Sequence, residues 1–381
     1  MPQPELPKST ILVVDDSRVN VQVLVRTLDG TGHRILVAMN GKSALEIAQH
    51  IHPDLILLDV MMPELNGFDV CRQLKADPAT KDIDVIFLSA SGELGDKVAG
   101  LELGASDYIT KPIQAEEVLA RVANHLLRLQ LEREVRESRD SLDRELAVAA
   151  EMQKLILPQG LNPIGNLRFA AHYQTSRYVG GDYYDIVRLP DNRCGILVAD
   201  VSGHGATSAI VMAMIRAAFH AYGTPPLDPV KVLRYLNQQF RFLWGKSLLA
   251  TALYAVVDTA KGTLSIANAG HPQPLVIRNG SVQELNCATC IPLLMMDVPE
   301  ISCSRHELIS GDRILFYTDG ITERENASGG MYDPEGLKEI LRNCASRTSD
   351  EMLLGIVQDV ERFAGGREAH DDQTLLLVSV A

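Results

Sequence analysis

The sequence predicts two globular domains of different class joined by one long helix. The first is a doubly wound α/β domain on a five-stranded parallel sheet. The second is an α+β domain whose antiparallel strands form a sandwich flanked by helices. Three observations lead there. Near-continuous apolar runs alternate with helical patterns over residues 10 to about 125. Residues 120–157 contain no glycine or proline and carry a single apolar stripe. From residue 159 onward the apolar runs are short and turn-bounded, with helical stretches among them. The 381 residues suffice for two to three domains at roughly 150 residues each. The expected boundaries are 8–125, 126–157 and 158–381.

In the first domain, residues 11–14, 35–37, 55–58 and 85–88 are apolar throughout, and Asp107-Tyr108-Ile109 is a fifth, short strand. Runs without alternation indicate burial on both faces, as in a parallel sheet covered by helices. Helical patterns at residues 42–51 and 67–75 lie between them. In the middle segment the stripe runs Leu127, Leu131, Val135, Ser138, Leu142, Leu146, Ala149, Met152 and Ile156, nine positions over 29 residues. That is a helical period, stopped by Pro158. So narrow a stripe has no neighbour in sequence to bury it, and a parallel two-helix homodimer is its natural partner. In the last segment, strands are expected near 194–199, 252–257, 264–267, 274–277, 313–317 and 374–380. Helices are expected at 206–222, 229–243, 334–343 and 349–364.

Composition narrows the function classes. Lysine plus arginine total 36 against 49 aspartate plus glutamate, a net charge of −13. Phosphate backbones require clustered cations, so no nucleic-acid partner is expected. No apolar run approaches the ~18 residues of a membrane span, and residues 1–9 hold three prolines without an apolar core. No membrane association is expected, and the protein is expected to be cytoplasmic. Six scattered cysteines fit free thiols. Cys287-Ala288-Thr289-Cys290 lacks a second ligand pair, Cys303 being the one nearby addition, so a zinc site is not expected.

The chemistry of the first domain lies at strand ends. Asp15 and Asp16 follow the first strand, Asp59 ends the third, Ser89 the fourth, and Lys111 follows the fifth. In an open parallel sheet the carboxyl ends of the strands form the site. Three converging carboxylates repel unless a cation joins them, which implies a bound Mg²⁺. The stretches Leu12-Val13-Val14-Asp15-Asp16, Leu57-Leu58-Asp59-Val60-Met61-Met62-Pro63, Leu88-Ser89-Ala90 and Asp107-Tyr108-Ile109-Thr110-Lys111-Pro112 resemble those of response-regulator receiver domains, which have a flavodoxin-like fold. The resemblance implies that Asp59 accepts a phosphoryl group from a histidine kinase. It implies that Asp15, Asp16, Asp59 and the backbone of Met61 hold Mg²⁺, that Lys111 pairs with the phosphoryl oxygens, and that Ser89 and Tyr108 switch behind it.

The last segment carries a second acidic set beside glycines: Gly180-Gly181-Asp182, Ala199-Asp200-Val201-Ser202-Gly203-His204-Gly205, Tyr317-Thr318-Asp319-Gly320 and Asp371-Asp372-Gln373-Thr374. Hard oxygen donors without a His/Cys pattern suit Mg²⁺ or Mn²⁺, and two such ions can clamp a phosphate and activate water. With Asn268-Ala269-Gly270-His271-Pro272, these motifs resemble the PPM-type serine/threonine phosphatases in their SpoIIE-like or RsbU-like branch. The resemblance implies that Asp200 is the central catalytic ligand bridging two ions. Asp182 and the backbone of Val201 would hold one ion, and Asp319 and Asp371 the other. It further implies a phosphoserine or phosphothreonine substrate on a STAS-fold anti-sigma-factor antagonist within a partner-switching pathway.

Where eukaryotic relatives place a histidine two residues after the bridging aspartate, this chain has Ser202. His204 and His271 fit structural roles better than proton donation. No equivalent of the eukaryotic phosphate-gripping arginine stands out. The alternative is a pseudophosphatase adaptor that binds a sigma factor or anti-sigma partner without hydrolysis; the presence of all four aspartate motifs disfavours it.

Overall fold

The protein is described here from a computed structural model, which defines residues 8–89, 102–203, 205–297 and 300–381. It divides into two compact units on either side of Ser141–Leu142.

The first unit is built on a five-stranded sheet. Its strands are β1 (Thr10–Val14), β2 (Arg34–Ala38), β3 (Leu55–Asp59), β4 (Asp84–Ser89) and β5 (Asp107–Thr110), in the order β2-β1-β3-β4-β5, every pair parallel. β3 and β4 are buried along their whole length, which accounts for their apolar runs at residues 55–58 and 85–88. Two apolar cores lie on opposite faces of the sheet. One contains Leu12, Ile56, Leu58 and Phe87 under α2 (Gly41–Ile51) and α3 (Gly67–Ala76). The other contains Ile11, Val13, Leu57 and Ile86 under α1 (Arg18–Leu28) and the start of α4. Asn40 and Asn66 begin α2 and α3 by accepting the backbone N–H of Ser43 and Asp69.

Helix α4 runs from Ala115 to Ile156, 42 residues, five residues earlier in its start than the glycine- and proline-free stretch suggests. Its first turns bury Val118, Val122 and Leu126. Charge then holds it to the starts of the strands: Arg121 to Asp107 at 2.7 Å, Arg128 to Asp84 at 2.6 Å and Arg133 to Asp54 at 2.6 Å. Beyond Leu126 the stripe is solvent-facing within the single chain. Leu127, Leu131, Val135 and Leu142 are all exposed, as is Ala149, and Leu146 is half-buried.

The second unit has four layers. One sheet runs β13 (Thr289–Cys290), β10 (Thr263–Ala269), β9 (Ala250–Asp258), β8 (Arg193–Val201), β7 (Tyr183–Arg188), with β14 (Cys303–Glu307) also on β10. The other runs β12 (Ser281–Glu284), β11 (Leu275–Arg278), β15 (Arg313–Tyr317), β16 (Gln373–Val380), β6 (Leu167–Gln174). The core between the sheets contains Ile196, Val198, Leu253, Phe316 and Leu376 and extends to α5 (Ala206–His220) and α6 (Pro229–Gln239). A separate core of Leu315, Tyr317, Leu375 and Leu377 packs under α8 (Asp333–Asn343) and α9 (Ser349–Ala364). The short helix α7 (Asp319–Thr322) follows β15. Each large core side chain adds about 1.5–3 kcal/mol by leaving water. Sequence patterning misses five strands, β6, β7, β12, β13 and β14. It also runs α6 on to residue 243, where a 3₁₀ turn (Arg241–Leu243) follows instead.

Candidate active and metal sites

Parallel pairing aligns the carboxyl ends of β1, β3, β4 and β5, so Asp15, Asp59, Ser89 and Lys111 share one edge. Asp15 is fully buried. Its Oδ1 accepts the Ser17 N–H at 2.8 Å, and Asn20 Nδ2 donates to both its oxygens. Lys111 Nζ bridges Asp15 Oδ2 at 2.9 Å and Asp59 Oδ1 at 2.7 Å. Burial raises the Asp59 carboxyl above its ordinary range, Lys111 pulls it back, and the Asp15 charge raises it again. Burial draws Lys111 down, but its bonds to Asp59 and Asp15 prevail and hold it above an ordinary lysine. Asp16 is exposed at the rim. Oxygens of Asp15, Asp16 and Asp59 lie within 4.8 Å of one another, as a shared cation requires. Met61 is exposed beside them and makes a backbone hydrogen bond to Asp59. Ser89 is buried, and Tyr108 is half-buried with the Arg121 guanidinium 5.6 Å from its ring centre. Gly67 is where α3 meets β3, and a Cβ there would lie 2.2 Å from the Asp59 carbonyl oxygen.

In the second unit the acidic motifs meet where the two sheets adjoin. Asp200 sits near the end of β8, and Asp182 immediately precedes β7, which pairs with it. Asp319 opens α7 after β15, and Asp371 precedes β16, which pairs with β15. The hydroxyls of Thr318 and Thr374 both donate to Asp182 Oδ2, at 2.7 and 2.6 Å, so the sheets are tied together through a proposed ligand. Burial pushes the Asp200 carboxyl up to about 8, with the charges of Asp319, Asp371 and Asp372 adding to it, while a hydrogen bond with Asp182 pulls the other way. Asp182 is raised well above the carboxylate range by burial, then by Asp200. Asp319 is raised by burial and by Glu323. These acids cannot all ionise together without a counter-charge.

Close approach explains the glycines. A Cβ on Gly181 would lie 2.5 Å from the Val201 carbonyl oxygen, and one on Gly180 would fall 2.0 Å from an Asp372 carboxylate oxygen. A Cβ on Gly320 would come 1.9 Å from the Asp372 carbonyl oxygen. Asp372 has a structural part that the motif alone does not reveal: its carboxylate accepts the N–H of Gly181 at 2.7 Å and of Ser176 at 2.8 Å. Asn20, Thr318 and Thr374 likewise emerge only in three dimensions.

His271 is buried, and burial drives its imidazole down to about 3, so it is neutral. Its Nδ1 pairs with the Thr251 hydroxyl, and its backbone is locked to Asn268. His204 lies outside the described residues. Ser202 is tied to Leu249 by its hydroxyl and by its backbone N–H. The cysteines among the described residues are free. His306 Nε2 approaches Cys287 Sγ at 3.9 Å.

Comparison with known proteins agrees with this anatomy. The sequence profile of the response regulator receiver domain matches residues 11–123. That of Stage II sporulation protein E (SpoIIE) matches residues 190–381. Over 140 residues the chain is 44% identical to the response regulator PleD of Caulobacter vibrioides, covering 37% of this chain and 31% of that protein. The chain spans 31% to 52% of the length of such curated relatives. Two solved structures share the fold of the second unit. The SiaA-PP2C domain of Pseudomonas aeruginosa aligns with TM-score 0.58 at 23% identity, covering 64% of this chain and 99% of that one. The PP2C phosphatase domain of SpoIIE from Bacillus subtilis aligns with TM-score 0.50 at 15% identity, covering 57% of this chain and 64% of that one. With half of its length matched by the SpoIIE profile behind a receiver domain, the chain belongs to the SpoIIE family, its second unit has the PP2C fold, and a response-regulator receiver domain precedes it.

Proposed function

We propose that the protein is a response regulator whose phosphorylation at Asp59 by a histidine kinase controls a metal-dependent phosphoserine/phosphothreonine phosphatase. The observation that carries this is the convergence of buried Asp182 with half-buried Asp200, Asp319 and Asp371 at the junction of two sheets. An acid held near 8 by desolvation first and by its acidic neighbours second gains from a cation beside it, and its all-oxygen surroundings fit Mg²⁺ or Mn²⁺. Asp182, Asp200 and the Val201 carbonyl would hold one ion, and Asp200, Asp319 and Asp371 the second. Bound there, such ions supply Lewis-acid charge for the phosphoryl oxygens and lower the pKa of water. The chain's own part is positioning. Thr318 and Thr374 fix Asp182, while Asp372 fixes the Gly181 backbone.

In the receiver, Asp15, Asp16, Asp59 and the Met61 backbone would hold Mg²⁺. The Lys111 ammonium already lies against Asp59, ready to pair with an added phosphoryl group. A phosphoryl group brings roughly −1.5 to −2 charges and strong acceptors, and Ser89 and Tyr108 respond to it. Two copies pair through the exposed stripe of Leu127, Leu131, Val135, Leu142, Leu146 and Ala149, which relays that response. The substrate is a phosphorylated STAS-fold anti-sigma-factor antagonist in a partner-switching pathway. Among the described residues no helix is long and apolar enough to cross a membrane.

Phosphate release from a phosphoserine-bearing STAS protein, measured with Mn²⁺ and in chelator, tests this reading. Release that needs Mn²⁺ and disappears in Asp200→Asn supports it. Tight binding of the phosphoprotein with no release at any Mn²⁺ concentration would favour an adaptor instead.

A further inference from the structure

Between residues 127 and 156 of α4 one side chain is buried, and it is polar: Gln153, at 5% exposure. Its amide meets both backbone groups of a single residue. Nε2 donates to the Gly180 carbonyl at 2.6 Å, and Oε1 accepts the Gly180 N–H at 3.0 Å. Gly180 rests against the Asp372 carboxylate and lies two residues before Asp182. The same helix end is held a second time, by Arg216 Nε of α5 donating to the Ile156 carbonyl at 2.7 Å. α5 begins at Ala206, with Gly205 at its N-terminus. The end of α4 is therefore hydrogen-bonded to the backbone two residues before Asp182 and, separately, to α5.

Gln153 follows Ala149 by four residues and precedes Ile156 by three, so it belongs to the same helix face as the apolar stripe. That face is left open to a second helix along most of its length, and in its last turns it turns onto the Gly180 backbone. Beside Gln153 there is a cleft of about 210 Å³ bounded by Ala150, Lys154, Tyr173, Thr175 and Tyr178. The helix is not packed flush there. A pair of bonds at 2.6 and 3.0 Å does not survive a 1 Å slide or a modest rotation with both members intact.

We infer that Gln153 is a positioning residue through which the linker helix sets the Gly180–Asp182 loop, and hence the readiness of the second unit's acidic site to take up its metal. This rests on the reading above that the site binds divalent metal. Groups that support metal ligands from behind typically change metal affinity roughly 10- to 100-fold when removed. Here the support comes from the helix that carries the receiver's signal.

The test uses the full chain and Gln153→Met, which keeps length and volume but neither donates nor accepts. Mn²⁺ binding is measured by calorimetry, and amide exchange is followed across residues 178–184. The expected result is Mn²⁺ binding weaker by roughly tenfold or more, faster exchange at Gly180 and Gly181, and loss of any response to beryllofluoride. The metal-free melting temperature should stay close to that of the parent. Gln153→Glu, which keeps the acceptor but not the donor, should fall between the two, and it carries the comparison if Gln153→Met does not fold. Parental Mn²⁺ affinity and parental exchange in the variants would overturn the inference while leaving the phosphatase reading intact. A parent chain that binds no Mn²⁺ and hydrolyses no aryl phosphate would overturn that reading and this inference with it.

Discussion

Replacing Gly320 by alanine probes the junction of the two sheets with a single methyl group. The added Cβ would lie 1.9 Å from the Asp372 carbonyl oxygen and 2.9 Å from its carbon. Cβ contacts below 3.0 Å are essentially never found, so α7 and the segment before β16 must separate by about 1.1 Å. The obstacle is backbone on both sides, so no side chain can swing away. Asp319 and Asp371, one on each of these segments, would then be spread apart. Metal–ligand distances tolerate about 0.2 Å, and a 1 Å misplacement in an active site can lower rate by about 100-fold. Overpacking of this kind costs about 1–3 kcal/mol, a fall of roughly 2–12 °C in melting temperature for a unit of this size. The assay is Mn²⁺-dependent hydrolysis of an aryl phosphate, with a thermal melt beside it. Gly320→Ala should remain folded, with hydrolysis reduced by about 100-fold or more. Parental hydrolysis at parental stability would refute the claim that this contact sets the ligand spacing.

Other perturbations address the remaining parts of the account. The Asp200 carboxyl, raised to about 8 by burial and its acidic neighbours, lies far above its value of 3.8 in an unfolded chain. In the metal-free protein its contribution to stability is therefore complete below about pH 4 and lost as pH rises to about 8. A cation takes the place of the proton, so the rise in melting temperature on adding Mn²⁺ should be larger at pH 8 than at pH 6; an equal or smaller rise at pH 8 would count against the site. Lys111→Met removes the cation between Asp15 and Asp59. It should leave the chain folded but abolish the effect of beryllofluoride on activity, and a retained effect would remove Lys111 from the switch. Leu131→Glu combined with Leu142→Glu places charges on the exposed stripe. Light scattering should find dimers for the parent and monomers for the variant, with the phosphorylation response lost; if dimers and response both survive, the linker does not act through pairing.

The acidic centres were legible in the sequence because each aspartate follows or precedes an apolar strand at a motif of local character. Asp15, Asp59, Asp182, Asp200, Asp319 and Asp371 could be named without knowing which strands pair. The parallel sheet was legible for the same reason, since burial on both faces leaves residues 55–58 of β3 and 85–88 of β4 apolar without alternation. β6 and β7 escaped because their exposure is mixed: Leu167–Gln174 places a histidine and an arginine among its apolar residues and is defined by pairing with β16, some 200 residues away. β13 is two residues long and β14, CSRHE, has no buried residue; both lie on one edge of β10. Gly180, Gly181 and Gly320 were visible as glycines, but the reason for them is an approach of distant backbone. Gln153 looks in sequence like any polar residue of a charged helix, and its burial against Gly180 depends wholly on how the helix end docks.

The central claim is that one chain couples a phosphorylatable aspartate to a metal-dependent phosphatase. Hydrolysis of a small aryl phosphate with Mn²⁺, with and without beryllofluoride on the receiver and with Asp319→Asn as the blank, tests it most directly. The account predicts Mn²⁺-dependent hydrolysis that changes when beryllofluoride binds and vanishes in Asp319→Asn. Hydrolysis no greater than that of Asp319→Asn in either receiver state would contradict it.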